Sequence, residues 1–389
     1  MIIARDSEAI ASLVQQVRAA EVVAFDTEFL WEKTYRPILC LVQVAVDGVE
    51  AIADPLATNV KPLWEAIADA PRVLVHAGAH DLDLMFTAVG RLPATVFDTQ
   101  IAGAFLGYGD SAGYSSLVEA TLRRKVKGGE GYTDWSRRPL STAQLEYAVE
   151  DVRHLHDLKV ALAADLDRRG RSDWAAEETV LRFEGIGDEV DPTEMWRRVK
   201  GSNRLRGKAL AVLREVAAWR ESEAMSKDES RRRVVSDEVL IEVARRAPTD
   251  EGQIAAQRGL HPGQAKRVAG PLLAAVRRAS AVPERDWPRW DQKPAFAGDP
   301  TIEPIASVLH GILRMRARDL DISGGLLATR GDLEELVRRR LAGELDQAPP
   351  RILSGWRKSV IGDDLLHVLD GQASIRIRVD GDGPALEIG

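Results

Sequence analysis

The sequence predicts a mixed α/β domain followed by all-α segments. Three observations predict it. Short Val-, Leu- and Ile-rich runs alternate with helical spacings over residues 20–100, the pattern turns purely helical after residue 203, and a Pro-rich stretch near residue 290 interrupts the helical part.

The elements follow in order. "EVVAFDTEF", "LCLVQVAV", "VEAIADP" and "RVLVHAG" read as strands, each apolar and bounded by turns or charges. "NVKPLWEAIADA" and "AHDLDLMFTAVG" carry apolar residues at helical spacing, and Gly90 closes the second as a C-cap. Residues 103–140 read mainly as a surface loop with short helices. From a Ser141 or Thr142 cap, "STAQLEYAVEDVRHLHDLKVALAADLDRR" reads as one long amphipathic helix ending at Gly170. A polar stretch, 172–203, reads as a connecting arm. Leu205, Leu210, Leu213, Val216 and Trp219 then form one apolar stripe, and "SDEVLIEVARRAP" and "HPGQAKRVAGPLLAAVRRAS" add further helices. "PERDWPRWDQKPAFAGDP" is a linker by composition. A second helical set follows, and the tail "ASIRIRVDG" alternates like a strand without an obvious partner. The resulting division is 1–171 for the α/β domain, 172–203 for the arm, 204–281 for the first helical domain, 282–297 for the linker, 298–371 for the second helical domain and 372–389 for the tail.

At 389 residues the chain is too long for one ordinary domain. A single Cys, Cys40, excludes a disulfide framework and a Cys-built zinc site. No apolar run approaches the roughly 20 residues that span a bilayer. The start "MIIARDSEAIASL" lacks the pattern of a signal peptide, so a cytoplasmic protein without a membrane partner is expected. The net charge of −7 argues at first against a polyanion partner. Resolved along the chain, residues 1–195 hold 19 basic and 32 acidic residues, 196–281 hold 19 and 10, and 282–389 hold 15 and 18. The basic middle segment points to nucleic-acid contact, with a solvated Arg-rich helical face as the alternative on charge alone.

Five residues could carry chemistry. Asp26 and Glu28 stand two apart at the end of the first strand, so alternation points both carboxylates to one face. Asp81 falls in the first turn of a helix, where the dipole favours an acid. Tyr147 and Asp151 are four apart on the long helix and share a face. Gathered together, they would make an oxygen-rich site suited to Mg²⁺ or Mn²⁺. Each alone has a plain explanation: a solvated strand end, a helix N-terminal acid, a half-buried phenol, or an acid paired with Arg153.

Their order decides between these explanations. "VVAFDTEF", "VLVHAGAHDLDLM" and "YAVEDV" resemble the three exonuclease motifs of the DEDD 3′-to-5′ exonucleases, in the subclass with Tyr four residues before the last Asp. "TYRPILCLVQVA", "VFDTQIAGAFLG" and "TDWSRRPLSTAQLEYAVEDV" resemble the ribonuclease D family more narrowly, and "LRGKALAVLREVAAWRESEA" through "VRRA" resembles an HRDC domain. The resemblance covers residues 1–281. For 298–371 a second HRDC-like domain is inferred from length and periodicity. The family resemblance implies a ribonuclease H-like exonuclease fold, a mixed central sheet with flanking helices, in which Asp26, Glu28, Asp81 and Asp151 hold two divalent ions, Mg²⁺ or Mn²⁺, and Tyr147 positions the attacking water. It also implies a 3′-to-5′ exoribonuclease that releases nucleoside 5′-monophosphates from tRNA precursors and other small structured RNAs with 3′ extensions. Thr27, Gln43 and Gln100 are candidate contacts to the terminal nucleotide by position. His80 reads as a rim residue and His76 as a hydrogen-bonded structural His. A DNA exonuclease and a catalytically silent RNA-binding protein are the alternatives. A helicase is excluded, because the sequence has no phosphate-binding "GxxxxGK[ST]" loop. A monomer is expected.

Overall fold

The computed structural model describes residues 1–126, 129, 131, 133–290, 299–346, 349–380 and 383–389. The chain divides into two units. One contains residues 1–28, 39–187 and the described residues from 299 onward; the other contains 29–38 and 188–290.

The first unit is built on a six-stranded sheet. Its strands are β1 (Ile2–Ala4), β2 (Val22–Leu30), β3 (Ile38–Val46), β4 (Val49–Ala53), β5 (Arg72–Val75) and β6 (Val96–Asp98), in the order β1-β4-β3-β2-β5-β6. β1 runs parallel to β4, and β2 and β6 run parallel to β5, whereas β3 and β4 are antiparallel. The sheet is mixed, as the family resemblance implies. Helices α1 (Ser7–Ala19), α2 (Lys61–Ala68) and α3 (Ala79–Val89) bury their apolar stripes on the face carrying Val23, Phe25, Val42 and Val73. The opposite face, with Ala24, Ala45 and Leu74, is covered by α4 (Thr99–Ala104), α5 (Tyr114–Leu122), α6 (Thr142–Arg153), α7 (Leu155–Arg168) and α8 (Ser172–Phe183). Val22 to Ala24 pair with Arg72 to Leu74. Asp26 and Glu28 therefore lie beyond the paired stretch, at the carboxyl ends of the parallel strands, where open α/β sheets place their sites.

Four expectations need correction here. The predicted single helix over 141–169 is two, α6 and α7, broken at His154. The arm 172–203 begins with α8, whose Ala175 is buried in the same core as α4 and α7. The described part of 298–371 is helical, but it is not a separate body. Its helices α9 (Ile302–Asp319), α10 (Arg330–Ala342) and α11 (Asp363–Leu369) contribute Leu309, Leu313, Leu336 and Leu365 to the core that holds Phe105, Leu158 and Leu162. Trp356 stacks on Trp174 at 5.2 Å, and Glu178 pairs with Arg351 at 2.5 Å and with Arg357. Apolar area shared in this way makes the two segments one folding unit. The tail has a partner after all: Ile375–Asp380 pairs antiparallel with Gly383–Ile388.

The second unit is helical, with its core formed by Trp196, Leu210, Leu213, Val216, Leu240, Val243, Leu272 and Val276. Residues 29–38 belong to it: Tyr35 donates its hydroxyl hydrogen to Glu221 at 2.6 Å under the Arg231 guanidinium, and the Ser230 amide donates to the Lys33 carbonyl at 3.1 Å. Of the expected linker, 291–297 lie outside the described residues. Its described end is tied by the Trp287 indole, which donates to the Val282 carbonyl at 3.0 Å.

Candidate active site

Each acid is delivered by a local device. On β2 the Thr27 side chain is buried on the opposite side from Asp26 and Glu28, and its hydroxyl donates to an Asp81 carboxylate oxygen. Asp81 sits in the first turn of α3, reached by a tight turn from β5. Ala77 takes a left-handed φ of 55°, and Gly78 is packed so closely on Val75 that a Cβ there would stand 2.5 Å from the valine Cβ. Only glycine fits that approach. The turn is held by Asp98, whose carboxylate accepts from the amides of Ala77 and Gly78 at 3.1 Å while also capping α4 through the amide of Gln100 at 2.8 Å. One carboxylate thus satisfies the ends of two elements.

The third motif is anchored independently. Arg138 forms a two-pronged pair with Asp54, at 2.6 and 2.7 Å, and donates to the Cys40 carbonyl at 2.9 Å, fixing the segment before α6 against β3 and β4. Ser141 and Gln144 then form a capping box that starts α6. Tyr147 packs near Trp135, with ring centres 6.0 Å apart, and its hydroxyl hydrogen-bonds Asp151.

The four acids share one electrostatic field. The Asp26 carboxyl is pushed well above its ordinary range, first by burial and then by the charges of Asp81, Asp151 and Glu28. Glu28 is raised to about 8 by burial and then by Asp151 and Asp81. Burial raises Asp151 to about 7, and Asp81 to about 6 against the Thr27 hydrogen bond that favours its charge. The Tyr147 phenol is raised too, by burial and then by Asp151, Glu28 and Asp26. The structure therefore brings all five predicted residues together. Among the described residues, however, no three acids or other metal-ligating groups are close enough to hold an ion as they stand. An all-oxygen donor set of this kind fits Mg²⁺ or Mn²⁺.

The remaining candidates are placed as follows. Gln43 is wholly buried, and neither of its amide atoms has a hydrogen-bond partner, so it offers no surface to a nucleotide. Gln100 is half-buried and donates to the Ala112 carbonyl at 3.2 Å. His80 is exposed, and His76 pairs through Nδ1 with the Thr99 hydroxyl at 2.9 Å. Cys40 is buried, and burial pushes its thiol up to about 11. Sequence reasoning missed Asp98, Arg138 and Tyr114, although the Asp98-Thr-Gln run carries an N-cap signal that could have found the first.

In the second unit, Arg198, Lys200 and Arg232 are exposed around a cavity of about 550 Å³. Much of the basic excess there is spent internally, as in Arg220 with Asp237 at 2.7 Å and Arg231 with Glu221 at 2.5 Å. Among the described residues no helix is long and apolar enough to cross a membrane.

Comparison with known proteins agrees with this geometry. A profile described as 3′-5′ exonuclease matches residues 1–167, and one for the HRDC domain matches residues 209–276. Fold and site together thus define a 3′-5′ exonuclease with an HRDC domain, and such exonucleases are a divalent-metal nuclease family. Ribonuclease D of Nitrobacter hamburgensis is 38% identical over 374 residues, 95% of each chain. That of Zymomonas mobilis is 35% identical over 379 residues, 96% of this chain and 95% of the relative. The crystal structure of Escherichia coli RNase D, described as an exoribonuclease involved in structured RNA processing, superposes with a TM-score of 0.83 at 30% identity. The match covers 95% of this chain and 98% of that one. The chain belongs to the ribonuclease D family and is a 3′-5′ exoribonuclease.

Proposed function

We propose that this enzyme trims the 3′ ends of small structured RNAs, tRNA precursors among them, releasing nucleoside 5′-monophosphates. Two divalent ions, Mg²⁺ or Mn²⁺, would be held by Asp26, Glu28, Asp81 and Asp151. The observation that carries this reading is that Asp26 and Glu28 are pushed up by burial and then by the charges of Asp81 and Asp151, so the four carboxyls stand near enough for a divalent cation to relieve their repulsion. Asp26, which feels the other three, is the ligand both ions would share; Glu28 and Asp151 would hold one and Asp81 the other. When bound, the ions supply positive charge to the attacking water and the leaving oxygen.

The protein's own groups do the positioning. Tyr147 donates a hydrogen bond to Asp151 and keeps a lone pair free to accept one from the attacking water. Its raised pKa holds the phenol protonated at neutral pH, so it orients the water and does not deprotonate it. Thr27 fixes the rotamer of Asp81. The exposed Arg198, Lys200 and Arg232 support salt-sensitive contacts to the RNA backbone by the basic segment 196–281, with little sequence readout. An HRDC-like character for the helices of 298–371, packed as they are into the core of the α/β unit, and a monomeric, cytoplasmic setting belong to the same proposal.

The test is metal-dependent digestion of 3′-extended tRNA beside single-stranded DNA of matched length. The wild-type protein should shorten the RNA in preference and stop in excess chelator. Asp26→Asn should lose at least about 10³-fold in turnover, as removal of a central charge-stabilising group does, while still binding RNA. Full activity in chelator would sink the ion assignment, and preference for DNA would sink the substrate.

A further inference from the structure

The helix that carries Tyr147 and Asp151 breaks three residues after that aspartate. In an unbroken helix the amide of His154 would donate to the carbonyl of Glu150. Here the Tyr114 hydroxyl stands between them. It donates to the Glu150 carbonyl at 2.8 Å and accepts from the His154 amide at 3.1 Å. His154 takes φ −102° and ψ 4°, outside the helical range, and α7 begins anew at the next residue. A side chain inserted into the backbone ladder is one of the few causes of a sharp helix break.

The ring that delivers this hydroxyl is itself held in place. Tyr114 is the first residue of α5 and packs edge-on against His76, with ring centres 5.6 Å apart. His76 pairs with the Thr99 hydroxyl, which donates to the Val75 carbonyl at 3.1 Å. A chain of contacts thus runs from the end of β5, beside the turn that presents Asp81, to the carbonyl of the residue preceding Asp151.

We propose that Tyr114 is a positioning residue for the carboxylate site. By inserting its hydroxyl into the third-motif helix, it sets where Asp151 and Tyr147 stand relative to Asp26 and Glu28. This rests on the reading of those acids as cation ligands. Tyr114 touches neither substrate nor ion; it acts through the backbone of residues 150 and 154.

Tyr114→Phe keeps the ring and lets the Glu150 carbonyl and the His154 amide pair with each other, straightening the helix and shifting Asp151. Mn²⁺ affinity measured by calorimetry on the full chain should weaken about tenfold and kcat should fall about tenfold, with KM for RNA little changed. This is less than the roughly hundredfold that a 1 Å misplacement can cost. A folded variant whose Mn²⁺ affinity and kcat stay within about twofold of wild type would overturn the proposal. If the variant does not fold, hydrogen exchange of the peptide covering 150–157 in the unaltered protein decides. Saturating Mg²⁺ should slow exchange there several-fold, and exchange indifferent to Mg²⁺ overturns the inference. Wild-type protein that binds no Mn²⁺ would instead overturn the cation-site reading on which it rests.

Discussion

Replacing Asp151 by Asn should make the metal-free protein more stable while destroying its activity. In wild type the Asp151 carboxyl is raised from 3.8 to about 7, by burial first, and Glu150 adds to the rise. At about 1.4 kcal/mol per pH unit, an ionised Asp151 costs the folded state roughly 4 kcal/mol. An amide keeps the hydrogen bond from Tyr147 but must still be desolvated, so we expect a gain of roughly 1–2 kcal/mol. That is a rise in Tm of about 3–6 °C for a unit of this size. The sign with pH follows from linkage. Between 3.8 and about 7 the unfolded chain has ionised this group and the folded chain has not, so wild-type stability falls as pH rises through that window. The advantage of Asp151→Asn is therefore full above pH 7 and shrinks as the pH drops toward 4. The assay is thermal denaturation in excess chelator at pH 5 and pH 8, repeated with Mg²⁺ at pH 8, where ion binding to the native state should restore the wild type's lead. A variant less stable than wild type in chelator at pH 8, or a gain equal at both pH values, would refute the reasoning.

Two further outcomes follow from the geometry. Tyr147→Phe should lower kcat about 10- to 100-fold, the low end of what a proton-handling or water-orienting side chain contributes, and leave calorimetric Mn²⁺ affinity near wild type; unchanged kcat would remove its assigned role. Glu178→Ala takes the carboxylate partner from the buried Arg357 guanidinium, which then keeps the Leu326 carbonyl at 2.7 Å and the face of the Trp356 ring at 4.6 Å. Chemical denaturation should show a loss of about 3 kcal/mol, typical of a broken buried pair, and a loss below about 0.5 kcal/mol would mean that the pair does not tie α8 to the C-terminal helices.

The positions of the proposed metal-binding acids could be read from the sequence because their spacing is local. Asp26 and Glu28 obey strand alternation, Asp81 follows a strand and a Gly turn, and Tyr147 and Asp151 obey helical spacing. The four longer strands and α2 and α3 were legible for the same reason. Strands β1 and β6, three residues each, are too short to show any period. Helix α1 escaped notice although Asp6 caps it through the Ala9 amide at 2.9 Å, a signal present in the sequence.

Other features depended on partners far along the chain. Nothing in residues 141–169 marks His154 as a break; the hydroxyl that makes it comes from residue 114. Residues 172–183 look like an arm because their charges dominate the composition, yet Glu178 is neutralised by Arg351 and Arg357, which follow it by more than 170 residues.

The sequence by itself determined the α/β and all-α classes, the basic segment and the five candidate site residues, because each depends on residue type and short-range period. Only the tertiary structure decided which acids share a field, that the C-terminal helices complete the core of the α/β domain, and that a distant tyrosine bends the helix bearing Asp151. Those properties are set by distances between segments, and period carries no information about distance.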